Sequence, residues 1–464
     1  MLGFVLKHNG NHMPSSILRL SRMLLVFIAT AVGAAEVPPP ALSEVSKSAA
    51  RQASVSVLDA TVLSLAQAVS IAIESNPSLA EFQARANALG AVPTQAGTLP
   101  DPTLGFNALN LPTDTFALDQ EPMTQLQFTL SQTVPFPGKL GLKRKAAEHE
   151  AGAAATRVSE RQLELTGEVR SAWWQLFFLD RALEIVDQNQ QLMREFVEIA
   201  QTKYKVGKGL QQDVLLAQLE LSRLLDREIK LQGQRGATQA GLNALLNRPT
   251  NSPLQLPAKP PSEALPVLPA ESELLRQAQA SRPLLGVQRQ LIEAANAQLD
   301  LAEKDFYPDF KLGAGYGIRQ GTDPVRGIER PDFFTVMFNV NVPIYFQTKQ
   351  SKAVDQRTSE IFERRFTLED TLRSVQAAIS QSFADYQASR EQVLLFRTGI
   401  VPQARQTVAS MLAGYQVNEV DFLNLVNAEI TLYNYEVNYW QALSEAKQAL
   451  AKLAAAVGTE ALYE

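Results

Sequence analysis

FTLSQTVPF, residues 128 to 136, and FNVNVPIYF, residues 338 to 346, are parallel stretches in the two halves of one chain, and the fold turns on how they are read. Around the first, Leu126, Phe128, Leu130 and Val134 take even positions; around the second, Phe334, Val336, Phe338, Val340 and Val342 do the same. A period of two places apolar side chains on one face of a strand. The same phase recurs at Phe310, Leu312, Ala314, Tyr316 and Ile318, and more weakly at Leu104, Phe106 and Ala108. Four strands are therefore expected, over about 102–111, 123–134, 309–319 and 332–343, paired across the polar loops 111–122 and 319–332. Alternation alone fits two half-buried hairpins on an ordinary core. Strands of about ten residues, with a long polar loop at one end of each hairpin, fit a membrane barrel better. Four strands cannot close a barrel in lipid, so an oligomer follows: two chains would give eight strands and three would give twelve.

The duplication runs through the whole chain. NPSLAEFQARANALG from Asn76 matches RPLLGVQRQLIEAAN from Arg282, and YKVGKGLQQDVLLAQLELSRLL at 204–225 is followed 211 residues later by YQVNEVDFLNLVNAEITLYNY at 415–435. The repeats are read as 61–248 and 271–464, joined by a linker at 249–270 that holds seven prolines between Pro249 and Pro269. No stretch alternates strands and helices as an α/β domain would.

The first 35 residues carry Lys7, Arg19 and Arg22 and no acid, then an apolar run that ends in small residues. This reads as a secretory signal peptide over 1–35, cut after Ala35 with Gly33 at −3, because the run is well short of the ~20 residues that span a bilayer. Residues 36–60 are an N-terminal extension. Losing those three positive charges takes the formal −5 to −8, which leaves no electrostatic footprint for nucleic acid. Without cysteine there is no disulfide, thiolate site or cysteine nucleophile, and His149 is the single histidine past the signal segment. No catalytic, cofactor or metal site is legible, and the chain is not expected to be an enzyme.

Between Lys139 and Lys203 there is no proline, and the helical pattern persists. At ~1.5 Å per residue such a helix reaches roughly 100 Å. The second copy, about Thr348 to Ala413, contains Gly399 and Pro402, which should kink it. In the returning helix, Leu425, Ala428, Leu432, Tyr435, Tyr439, Ala442, Ala446, Ala449, Leu453 and Ala456 form a coiled-coil seam. One position earlier runs a wholly polar stripe that includes Asn424, Asn427, Asn434 and Asn438. By pattern that stripe is a solvated outer face or the lining of a water-filled pore.

The N-terminal LAQAVSIAIESNP, the paired strand hairpins, QTVPFPGKL entering the long helix, and the two Y-x-V turns with DVLLA and NLVNA behind them together resemble the TolC family of outer-membrane efflux ducts, from about Val62 to Gly458. The resemblance implies a mixed fold, an all-α coiled coil plus a transmembrane β-barrel. Three chains would share a twelve-stranded barrel in outer-membrane lipid, four strands each, on a long periplasmic helical tunnel. It implies a homotrimer that works with a periplasmic adaptor (a membrane fusion protein) and an inner-membrane pump of the resistance-nodulation-division type. The flavour of QTVPFPGKL is closest to the heavy-metal branch, so the expected cargo is heavy-metal cations, with drug or other small-molecule export as the alternative and a secreted coiled-coil structural protein as the reading from another class.

The resemblance also assigns residues. Gly207 and Gly209 mark the helix reversal at the closed periplasmic end, replaced in copy two by Asn418 and Val420. Tyr415 matches the tip tyrosine and Asp213 the aspartate that it hydrogen-bonds; Asn424 and Asn427 stand where well-known members carry a cation-sensitive aspartate ring, and Val420 stands where they carry an arginine latch, with Asp421 and Glu429 close by. The docking surface for the adaptor is expected at Val206, Gly207, Lys208, Gly209 and Leu210 with Val417, Asn418 and Glu419.

Overall fold

The computed structural model describes residues 62–417 and 419–463. The signal segment 1–35, the extension 36–60 and Asn418 lie outside these residues. The chain divides into two compact units, one of residues 99–135 with 308–342, the other of the remaining described residues.

The first unit is a single antiparallel sheet of β1 (Thr103–Leu109), β2 (Gln125–Val134), β3 (Phe310–Ile318) and β4 (Phe333–Val340), in that spatial order. Its register puts Phe106, Phe128, Tyr316 and Phe334 in one row and Leu104, Leu130, Ala314 and Val336 in the next. The even residues therefore share one face, and much of it is bare: Phe334 is 71% exposed and Val336 75%. The odd face is polar, with Gln125 and Gln127 buried on it and Gln127 Nε2 donating to Thr335 Oγ1 at 3.4 Å. β4 stops at Val340 rather than reaching Val342, because Pro343 has no N–H to continue a ladder. One edge each of β1 and β4 is left open.

The second unit is helical. Three short helices, α1 (Leu65–Ser75), α2 (Pro77–Gly90) and α3 (Val92–Gly97), precede the sheet, and α4 (Lys139–Lys205) leaves it as one helix of 67 residues. The chain turns back through α5 (Gln211–Leu245), crosses the proline-rich stretch, and repeats the pattern with α6 (Glu271–Ser281), α7 (Pro283–Lys304) and α8 (Gln350–Leu395). A π turn at Phe396–Ile400 joins α8 to α9 (Val401–Gln416), and α10 (Phe422–Val457) closes the second hairpin. The expected irregularity at Gly399 and Pro402 takes the form of this π turn, with Pro402, which has no N–H to donate, directly after it in an otherwise continuous helical backbone. Among the described residues no helix is long and apolar enough to cross a membrane.

The main core of the unit gathers on Trp173, Trp174 and Phe177 of α4, where the rings of Trp173 and Phe177 stack at 5.4 Å and Trp173 Nε1 donates to the Leu63 carbonyl at 3.1 Å. The proline-rich stretch has no helix or strand but is tied down through its carbonyls. Tyr386 OH donates to Pro266 at 2.6 Å, buried Lys447 Nζ to Ala264 at 2.7 Å, and Arg235 Nη2 to Leu254 at 3.1 Å.

The seam expected on α10 is only partly the buried line. Ala428, Leu432, Tyr435 and Tyr439 are half-buried, whereas Phe422, Val426, Glu429 and Val437 are buried, so a polar residue enters the line after all. Further along, nearly every residue from Ala442 to Val457 is covered, because α4 and α8 both pack on the helix. The polar stripe of Asn424, Asn427, Thr431, Asn434, Asn438, Gln441, Glu445 and Lys452 is exposed.

Candidate functional site: the two helix reversals

Two reversals carry the residues singled out by the sequence. At the first, α4 ends in a closing pattern in which the Lys208 N–H donates to the Lys203 carbonyl at 2.9 Å and the Gly207 N–H to Tyr204 at 3.0 Å. Gly207 has φ of +72°, the left-handed conformation that stops a helix and costs a side-chain-bearing residue about 1–2 kcal/mol. At the second, the Glu419 N–H donates to the Gly414 carbonyl at 2.9 Å, the equivalent bond 211 residues on. The counterpart of Gly207 there is Asn418, outside the described residues.

A second constraint links the helix end to the residue two beyond the turn. A Cβ on Gly209 would lie 2.9 Å from Lys203 Cβ and 3.1 Å from the Lys203 carbonyl carbon. In copy two a Cβ on Gly414 would lie 2.5 Å from Val420 Cγ2. Gly209 and Val420 correspond, as do Lys203 and Gly414. Each turn thus leaves room for one side chain in this contact, and the copies put it on opposite members of the pair.

The two reversals share a core. Met193, Phe196 and Ala200 of α4 and Ala217 of α5 meet Tyr415 of α9 and Phe422, Leu425 and Val426 of α10. Phe422 lies edge-on to Phe196 at 5.9 Å and tilted against Tyr415 at 5.5 Å. Lys203 reaches across from the first copy, its Nζ 3.8 Å from the centre of the Tyr415 ring and 3.5 Å from the Tyr415 carbonyl. Burial raises the Tyr415 phenol above its ordinary range, and the negative charge of Asp213 adds to the shift.

Asp213 and Tyr415 are thus brought near one another. The hydrogen bond expected between them is not among the contacts of the described residues; Asp213 acts on the phenol through its charge. Asn424 and Asn427 are brought onto one exposed face in the first two turns of α10, away from the Tyr415 ring in the shared core. Of the expected docking residues, Val206, Leu210 and Val417 are each about three-fifths exposed, Gly207, Lys208 and Glu419 are exposed, and Gly209 is half-buried. Lys203 went unmarked in the sequence: its place 211 residues before Gly414 was readable there, but its opposition to Gly209 is a contact of the folded turn. Among the described residues no group of three or more His, Asp or Glu is placed to hold a metal ion.

Comparison with known proteins agrees with this architecture. The family model described as "Outer membrane efflux protein" matches residues 68–248 and 274–459. The chain is 23% identical over 283 residues to the alkaline protease secretion protein AprF of Pseudomonas aeruginosa, an alignment that takes in 60% of this chain and 58% of AprF. It thus spans less than two thirds of that relative. It is 21% identical over 395 residues to the cobalt-zinc-cadmium resistance protein CzcC of Cupriavidus metallidurans, covering 83% of this chain and 88% of CzcC. In fold it matches the outer membrane protein VceC of Vibrio cholerae with a TM-score of 0.70 at 20% identity, over 86% of this chain and 97% of VceC.

Proposed function

The chain belongs to the outer membrane efflux protein family, the TolC-type family that its sequence resembles, and from that premise we propose that it is the exit duct of a tripartite efflux system. It is a protein of the Gram-negative outer membrane, which sets aside the secreted coiled-coil reading. The duct is a homotrimer, and its work is passage rather than catalysis. The observation that carries the proposal is the sheet: an apolar face with Phe334 and Val336 bare and two open edges is untenable for one chain in lipid. Three copies supply twelve strands and no edge.

The reversals are read as the periplasmic tip, where Val206, Gly207, Lys208, Gly209, Leu210, Val417, Asn418 and Glu419 meet the adaptor, which in turn joins an inner-membrane pump of the resistance-nodulation-division type. Tyr415, Asp213, Asn424 and Asn427 form the gate. Similarity to CzcC over most of both chains supports heavy-metal cations as cargo. A passive duct has no need to ligate them, in keeping with its lack of cysteine. Similarity to AprF favours a second reading, export of protein by the same duct.

The test is a native mass in mild detergent, expected at three chains. Phe338→Arg, on the lipid face, should cost assembly about 2–4 kcal/mol while Asn339→Arg is tolerated. A folded, membrane-inserted single chain overturns the duct. Deleting the gene should sensitise cells to cobalt, zinc or cadmium; unchanged metal tolerance with loss of a secreted protein selects the second cargo.

A further inference from the structure

The buried acid on α10 has no part in the duct as described so far. Glu429 follows Asn427 by two residues on the same helix, is 8% exposed, and its Oε2 has no hydrogen-bond partner among the described residues. It lines a cavity of about 340 Å³ between α4, α5 and α10. A buried carboxylate oxygen with neither a donor nor an ion-paired cation is costly when ionised and tolerable when protonated.

The neighbouring charges are already committed. From α5 the cavity receives Glu220, Arg223 and Arg227. Arg223 is ion-paired with Glu220, and Arg227 donates toward the Tyr433 hydroxyl. From α4 it receives Asn189 and Met193, neither of which titrates. On α10 itself lies Glu436, two turns on, paired at 2.6 Å with Arg405 of α9. Both arginines keep their charge, but among the described residues neither is ion-paired with Glu429, and no cation is among the influences on its carboxyl. Burial raises its carboxyl above the usual carboxylate range, and the like charge of Glu436 adds to this.

We propose that Glu429 is a proton-operated lock on the tip: protonated, it lets α10 close on α4 and α5; ionised, it drives α10 away from them and loosens the turn that carries Asn424 and Asn427. This rests on the duct reading only where it is called a gate. The direction is fixed by linkage. A carboxyl held above its unfolded range contributes stability that is complete below that range and is lost as pH rises through its folded value. The tip is therefore tight in acid and looser toward alkaline pH, and a duct built on it conducts more as pH rises.

The trimer in nanodiscs is the material for the test, with hydrogen exchange of the α10 amides over 422–437 corrected for intrinsic rate. Exchange should be about tenfold faster at about pH 8 than at about pH 5. Glu429→Gln, which copies the protonated form, should exchange at the slow rate at both, and Glu436→Gln should move the midpoint to lower pH. Flat exchange in the parent, or a pH response that survives in Glu429→Gln, overturns the lock. Conductance in planar bilayers is the separate arm: pH-dependent exchange with no conductance at any pH overturns the duct reading and leaves the lock standing.

Discussion

In the first helix reversal a lysine, Lys203, closes the last helical turn and a glycine, Gly209, faces it; in the second the glycine is Gly414 and the residue facing it is Val420. The backbone bond beneath is the same in both, Lys208 to Lys203 and Glu419 to Gly414, each at 2.9 Å. What the duplication has kept is a distance between two backbones, and what it has exchanged is which one carries the side chain. The exchange also has a chemical product. A lysine at the first helix end reaches Tyr415 of the second copy, whereas Gly414 has no side chain to reach back, so this cation–π contact has no counterpart.

The harshest way to break this pairing is to fill both members of the first turn. Gly207→Val with Gly209→Val places one branched residue at a φ of +72° and another 2.9 Å from Lys203 Cβ. Together these should cost about 2–5 kcal/mol of local stability, the left-handed and overpacking costs combined. Proteolysis confined to the tip, with trimers at normal abundance and efflux lost, is the expected record. Retained efflux removes this turn from the docking surface.

A gentler change sharpens the comparison. Gly209→Val alone should cost about 1–3 kcal/mol, and adding Lys203→Gly should recover the steric part of it by giving the first turn the arrangement of the second. Hydrogen exchange of the α4 end measures both. If the double variant is no better than the single one, the two turns are not equivalent in the way their backbone bonds suggest.

How far the sequence reached depends on the range of the interaction. The four strands were legible because Phe334, Val336 and Phe338 alternate within one element, and the lipid face asks only for that period. The first reversal was legible because Gly207 announces a left-handed residue locally. The opposition of Lys203 to Gly209 and of Gly414 to Val420 was not, since it is a contact across a turn that only the folded backbone closes. The α10 seam failed in part for a related reason: a strict three-four count assumes one partner, and α10 packs on α4 and on α8 and α9 along different stretches. Glu429 fell one position beyond the seam residue Ala428 and was seen only as a neighbour of the residues expected at the gate.

Lys203→Met tests whether the exchange matters beyond sterics. It keeps an apolar stem and removes the ammonium that sits 3.8 Å from the centre of the Tyr415 ring, so the loss should be about 0.5–1 kcal/mol, the worth of a partly exposed cation–π contact. The matching change at Gly414 has no such contact to lose. Thermal unfolding of the trimer at fixed salt reads the difference.

The smallest effect on stability, and the most informative on passage, belongs to the exposed face of the second turn. Asn424 and Asn427 are three residues apart and exposed, so Asn424→Asp with Asn427→Asp should shift stability by less than about 0.5 kcal/mol. If a threefold axis gathers them into rings at the constriction, the change installs six carboxylates where the parent has amides. Carboxylates crowded by like charge take up divalent and trivalent cations, which amides do not. Block of single-channel current by such cations at about millimolar concentration should therefore appear in the double variant and be absent in the parent. The first copy supplies the control, because Asp213 already stands at the position equivalent to Asn424. If Asp213 lay on the same ring, the parent would already be cation-sensitive, and Asp213→Asn would remove that block. A parent without block, and a double variant with it, places the pore face on α10 and leaves Asp213 beside Tyr415, outside the passage. No block in the double variant puts Asn424 and Asn427 on the outer surface of the tip.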